Sequence, residues 1–373
     1  MKVGETILFP SFFIGGFEGS THRRRDGRRL DLVAATQHDS FAQRDYARLV
    51  QLGIRTARES LRWHLIEATA GKYDFSMEVS RAVAARDSGV QVIWDLAHFG
   101  WPDHVDVFSQ PFPEQFASYA TAAARWMRHE TDAPLLFAPM NEMSFLAWAG
   151  GEVGIMNPHA SGRGVELKRQ LARANIRAID AIRNVDPAAR FIQPEPLINV
   201  VTDPERSHER ATAADQHESQ FEAWDLLAGR LEPALGGSDA HLDVLGVNYY
   251  PNNQWIAGGT TLPAESPLRV ELSKMLVELH ARYGRPIVIS ETGTEGGQRA
   301  AWVRGVSDQV RVAMAVGVPV VGICLYPILN HPGWEDDRHC HNGLWDYAGV
   351  RGGRRAYVPM RRELVRLRHL QSH

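Results

Sequence analysis

Leu135-Leu-Phe-Ala-Pro-Met-Asn-Glu142 is the stretch on which the reading turns. Six uncharged residues run without a break into a polar pair, Asn141-Glu142. An apolar segment this short suits a strand buried on both faces, as in a parallel sheet. A carboxylate at the exit of such a strand is costly to bury without a purpose. The same form returns in Pro286-Ile-Val-Ile-Ser-Glu-Thr292. Further runs lie at 7–16, 53–60, 90–99, 190–196, 242–250 and 319–328. Amphipathic segments separate them, at 43–53, 77–89, 113–130, 164–185, 219–229, 267–284 and 299–317, and Gly53 and Gly89 read as helix stops. Eight such strands with helical segments between them predict an α/β chain folded as one (β/α)8 TIM barrel domain over residues 1–373. A doubly wound open sheet would show a glycine-rich phosphate turn after its first strand, and GxGxxG is absent there.

Composition narrows the function. Lys plus Arg total 41 against 44 Asp plus Glu, a net charge of −3. That balance argues against a general nucleic-acid binder. The 44% hydrophobic content is ample for a core, which excludes a disordered chain. The N-terminal MKVGETILFPSFF lacks a long apolar stretch and a small-residue cleavage site, so no secretory signal is read there. No segment has the ~18 apolar residues that span a bilayer. The two cysteines, Cys324 and Cys340, are read as free thiols, and the expected location is cytoplasmic.

In a barrel of this kind the chemistry sits at the C-terminal strand ends. Those ends carry Arg58, His98, Asn141 with Glu142, Asn248 with Tyr249, Glu291 and Tyr326. Two carboxylates on different strand ends can face each other across the mouth. Glycoside hydrolysis needs such a pair, one to protonate the leaving oxygen and one to attack or to activate water. The competing reading of each Glu is a structural ion pair with an Arg.

The motifs around these positions resemble those of the clan A retaining glycoside hydrolases, and most of all their family 1, the β-glucosidase family. Met140-Asn-Glu-Met143 is similar to the fourth-strand Asn-Glu motif, and Ile289-Ser-Glu-Thr-Gly293 to the seventh-strand Thr-Glu-Asn-Gly motif. Arg58-Glu-Ser-Leu-Arg-Trp63, Leu96-Ala-His98-Phe-Gly-Trp-Pro102 and Asp243-Val-Leu-Gly-Val-Asn-Tyr-Tyr250 resemble the second-, third- and sixth-strand motifs. Tyr326 to Trp334, with Asn342-Gly-Leu344, resembles the eighth-strand stretch. The resemblance spans roughly residues 10–350. It implies that Glu291 is the nucleophile and Glu142 the acid/base, with no metal or organic cofactor. It further implies substrate contacts or support from Arg58, His98, Asn141, Asn248, Tyr249, Tyr326 and Trp334, with Tyr249 holding the nucleophile. Trp94, Trp101, Trp148 and Trp255 are further candidate sugar platforms, against core packing as the commoner use of Trp. The implied partner is a β-glycoside or oligosaccharide. Transglycosylation by the same pair, or sugar binding without turnover, are the alternatives.

The chain also departs from that family. No Gln follows the first strand, where Glu18 or His22 stands instead; Gly333 replaces a Glu, and Tyr326 replaces a Trp. The basic run His22-Arg-Arg-Arg-Asp-Gly-Arg-Arg29 reads either as a site for an anionic group or as a solvated loop. Asp336-Asp-Arg-His-Cys-His341 holds metal-ligand residue types in no zinc spacing. Glu195, between two prolines, reads either as a substrate contact or as the partner of an Arg.

Overall fold

The computed structural model describes residues 8–371; the start of the first apolar run and most of the stretch read for a leader lie outside the described residues. Eight strands form a closed parallel barrel: β1 (Phe13–Gly16), β2 (Thr56–Ser60), β3 (Gln91–Ala97), β4 (Leu136–Met140), β5 (Arg190–Pro196), β6 (Val244–Asn248), β7 (Ile287–Thr292) and β8 (Val320–Leu325). Each pairs with its chain neighbours, and β8 closes on β1 through Phe13–Ile323, Ile14–Cys324 and Gly15–Leu325. Every apolar run contains one of these strands. The runs overshoot because their outer residues turn into the connecting loops.

The main helices that follow the strands are α1 (His38–Gln51), α2 (Val79–Ser88), α3 (Phe112–Glu130), α4 (Gly164–Val185), α5 (Glu222–Leu227), α6 (Leu272–Tyr283), α7 (Arg299–Ala315) and α8 (Val358–Gln371). Their apolar residues recur at helical spacing. In α3 these are Phe112, Phe116, Tyr119, Ala120, Ala123, Ala124 and Met127, all buried. Gly89 ends α2 with φ +63°, a left-handed conformation that a glycine adopts without a Cβ clash. Among the described residues no helix is long and apolar enough to cross a membrane.

The barrel interior is filled by Ile14, Ile93, Leu136, Ala138, Ile192, Val244, Val288 and Cys324. Larger apolar clusters fill the space between strands and helices. Cys324 and Cys340 are both buried free thiols.

One part of the outer layer is ionic. Side chains alternate along β2, so Arg58 points into the barrel and Glu59 points out toward the helices. Glu59, fully buried, meets His38 Nε2 at 2.8 Å, the Tyr46 hydroxyl at 2.7 Å and Arg81 Nη1 at 2.6 Å. Arg81 also pairs with Glu78, which takes a second bond from Arg62 Nε at 3.0 Å. Asp45 holds His38 Nδ1 at 2.9 Å and Arg354 Nε at 2.7 Å. Removing one member of such a network strands charges away from water. Arg81→Leu is expected to cost about 3–5 kcal/mol in urea unfolding. A cost within the ~1 kcal/mol of a surface pair would contradict this account.

Candidate active site

Arg58 rises from β2 into the top of the barrel and is 2% exposed. Its Nε donates to Asp95 Oδ1 at 2.9 Å, and Nη2 lies 2.8 Å from Asp95 Oδ2 and 2.8 Å from Asn141 Oδ1. Its Nη1 donates to Glu291 Oε1 at 2.8 Å and to the Ser290 carbonyl at 3.1 Å. Five N–H groups thus face five acceptors from β3, β4 and β7.

Glu291 ends β7. Its second oxygen accepts from the Tyr250 hydroxyl at 2.8 Å. The expectation that Tyr249 supports Glu291 is corrected here. Side chains alternate past the end of β6, so Asn248 and Tyr250 share the inner face and Tyr249 turns outward. Its ring stacks on Trp302 at 5.7 Å, and its hydroxyl accepts from Gln254 Nε2 at 2.8 Å. Period-2 counting from Asn248 would have selected Tyr250.

Glu142 follows β4 with φ +44°, a left-handed conformation costing of order 1–2 kcal/mol for a residue with a side chain. Asn248 Nδ2 donates to its Oε1 at 2.8 Å, and Asn248 is itself oriented by the Ser290 hydroxyl at 2.7 Å. Burial pushes the pKa of both Glu142 and Glu291 upward. For Glu142 the rise is large and the Glu291 charge adds to it. For Glu291 the Arg58 and His98 charges and the Tyr250 hydroxyl oppose it. Of the two, Glu142 is therefore the one whose surroundings favour the protonated form more strongly. Burial and the Glu291 charge push the Tyr250 phenol far up, which keeps it a donor.

His98 follows β3, with Nδ1 2.8 Å from Asp95 Oδ2. Asn141 Oδ1 faces Arg58 and Asn248, so its amide nitrogen aims at His98 Nε2, 3.2 Å away. The Tyr326 ring stacks on His98 at 5.7 Å and packs against Gly16, where a Cβ would lie 2.2 Å from the ring. Glu18 accepts from the Ser20 backbone N–H at 2.9 Å and the Ser20 hydroxyl at 2.5 Å. Burial disfavours its charge, but His98, His331 and Ser20 hold its pKa below the usual carboxylate value.

A cavity of about 1300 Å³ opens over this floor, and its wall includes Glu18, His98, Glu142, Tyr250, Glu291 and Trp334. Trp148 and Trp255 also reach that wall, whereas Trp94 and Trp101 pack in the outer core. His22 lies behind Trp334, ring edge to ring at 5.4 Å. Among the described residues Glu195 meets neither substrate space nor an arginine. Its two oxygens accept the backbone N–H groups of Met143 at 2.8 Å and Ser144 at 3.0 Å. Residues 25–28 at the tip of the 22–29 run are exposed, in keeping with a solvated loop, although most of its arginines are paired. Arg23 and Arg29 both pair with Asp103, and Arg24 and Arg28 both pair with Asp337. Two aspartates from neighbouring loops offset part of the charge. Residues 336–341 do not gather around one point. Among the described residues the only trio with ligand atoms within 4.8 Å is His217, Glu218 and Glu278, which is largely exposed.

The fold matches solved β-glucosidases. A family 1 β-glucosidase from Thermotoga maritima superposes with a TM-score of 0.78 at 15% identity, covering 98% of this chain and 99% of that one. The Thermotoga maritima β-glucosidase in complex with glucoimidazole gives 0.79 at 15%, covering 96% and 99%. A hyperthermophilic β-glucosidase mutant gives 0.75 at 14%, covering 95% and 99%. Neither a family model nor a curated protein matches at the level of sequence.

The opposed carboxyls should report on each other. Glu291→Gln removes a negative charge beside Glu142, so the Glu142 pKa is expected to fall, read by carbon-13 NMR of the side-chain carboxyl. An unchanged value would mean that the two groups do not sense each other.

Proposed function

We propose that the chain is a retaining β-glycosidase acting by double displacement. The observation that carries this reading is the placement of two carboxyls, Glu291 buried and Glu142 half-buried, on the wall of one cavity, with Arg58 and Tyr250 favouring charge on Glu291 and the Glu291 charge favouring the proton on Glu142. Glu291 attacks the anomeric carbon while Glu142 gives its proton to the departing oxygen. A glycosyl ester of Glu291 results. Glu142, now a carboxylate, takes a proton from water; the hydroxide oxygen bonds to the anomeric carbon and Glu291 leaves with its electron pair. Arg58 and Tyr250 hold both Glu291 oxygens, so the nucleophile needs no reorientation between the steps. The second N–H of the Asn141 amide is left for a sugar hydroxyl, and Trp334 offers a ring face. The fold shared with β-glucosidases supports the same reading. Transglycosylation uses the same first half-reaction. The half-exposed Trp148 beside Phe145 favours it as a second reading, because an acceptor ring could cover it.

Aryl β-glycosides test the assignment. Glu291→Gln should abolish turnover, and Glu142→Gln should lower it by about 10²–10⁴-fold for poor leaving groups. Azide should rescue Glu291→Gly and yield the α-glycosyl azide. Unimpaired turnover in Glu291→Gln would refute the mechanism. The two tyrosines separate cleanly as well. A hydrogen bond to a charged group contributes about 1.5–3 kcal/mol, so Tyr250→Phe should lower kcat/KM by about 10- to 100-fold. Tyr249→Phe should change it little, and the reverse order would restore the original assignment.

A further inference from the structure

The regular ladder between β4 and β5 joins Leu136 to Arg190 and Phe137 to Phe191, near the strand starts. Farther along, Pro139 has no N–H to give. At the catalytic end a different set of bonds ties the two strands. The Glu142 N–H donates to the Pro194 carbonyl at 3.0 Å. The next two N–H groups, of Met143 and Ser144, donate to the two oxygens of Glu195. Three successive amides around Glu142 are thus gripped by two successive residues of β5. Glu142 itself has φ +44° and ψ +62°, a backbone state that a residue with a side chain leaves unless its surroundings hold it. Glu195 is fully buried, and no ion pair satisfies it among the described residues. Both of its oxygens are spent on the turn that carries Glu142.

We propose that Glu195 is a positioning residue that locks Glu142 in its left-handed backbone conformation and so aims the acid/base carboxyl at the leaving-group oxygen. This rests on the glycosidase reading for the role of Glu142. It does not rest on it for the backbone clamp. Burial raises the Glu195 pKa to about 7, against the pull of the Ser144 and Met143 N–H groups, the Ser144 side chain and the more distant Lys168 charge.

Glu195→Gln is nearly isosteric but turns an amide N–H toward one of the two backbone N–H groups. The acid matters only where the leaving group is poor. The experiment therefore compares kcat/KM on alkyl and 2,4-dinitrophenyl β-glycosides of a sugar the wild-type protein hydrolyses. The expected result is a loss of at least tenfold on the alkyl glycoside and a much smaller loss on the dinitrophenyl glycoside. Glu195→Asp, charged but one methylene short, should show the same bias. Equal factors on both substrates, or no loss, would overturn the proposal, since a merely structural role lowers both alike. A crystal structure of Glu195→Gln adds an arm independent of turnover. Glu142 should relax to negative φ or lose its 2.8 Å bond from Asn248. An unmoved left-handed Glu142 would overturn the clamp. Wild-type protein that hydrolyses no glycoside would refute the proposed function alone, and the crystal structure would still decide the clamp.

Discussion

A guanidinium buried with every N–H spoken for fixes the centre of this molecule. Arg58 carries a full charge in a place that water does not reach, and only the convergence of β3, β4 and β7 supplies enough acceptors to keep it there. A buried charge with one partner missing is strongly destabilising. The barrel must therefore close with these strand ends in register, and the residues at those ends inherit their positions. Asn141 is oriented by Arg58, His98 by Asn141 and Asp95, and Glu291 by Arg58 and Tyr250.

That hub also separates the two acids chemically. They share a cavity, with Glu291 buried and Glu142 half-buried. Their company differs too: Glu291 has a cation and a phenol, whereas Glu142 has the Asn248 amide and a nearby negative charge. One barrel top can thus favour the proton on one carboxyl more strongly than on the other, without a change of fold between them.

Much of this could be read from residue order. The eight strands announce themselves because a strand buried on both faces must be continuously apolar, and Glu142 and Glu291 stand out because they end such runs. What escaped has physical reasons too. Tyr249 and Tyr250 are chemically alike, and only the pleat distinguishes them. Glu59 sits inside the run that supplies Arg58, but its partners, His38, Tyr46 and Arg81, come from α1 and α2, and nothing local marks them as a network. The 22–29 run looked like free positive charge because its counter-ions, Asp103 and Asp337, are far away in sequence. Glu195 escaped because its partners are backbone amides, which carry no signature in the sequence.

Cys324 gives the barrel a built-in clock. Its thiol lies in the interior layer, 1% exposed, with its pKa pushed up by burial. An alkylating reagent can reach it only when β8 parts from its neighbours. Its labelling under native conditions therefore counts openings of the barrel itself, separately from motions of the loops above. Cys340 lies out at the cavity wall, so the two thiols time two different layers of the same molecule.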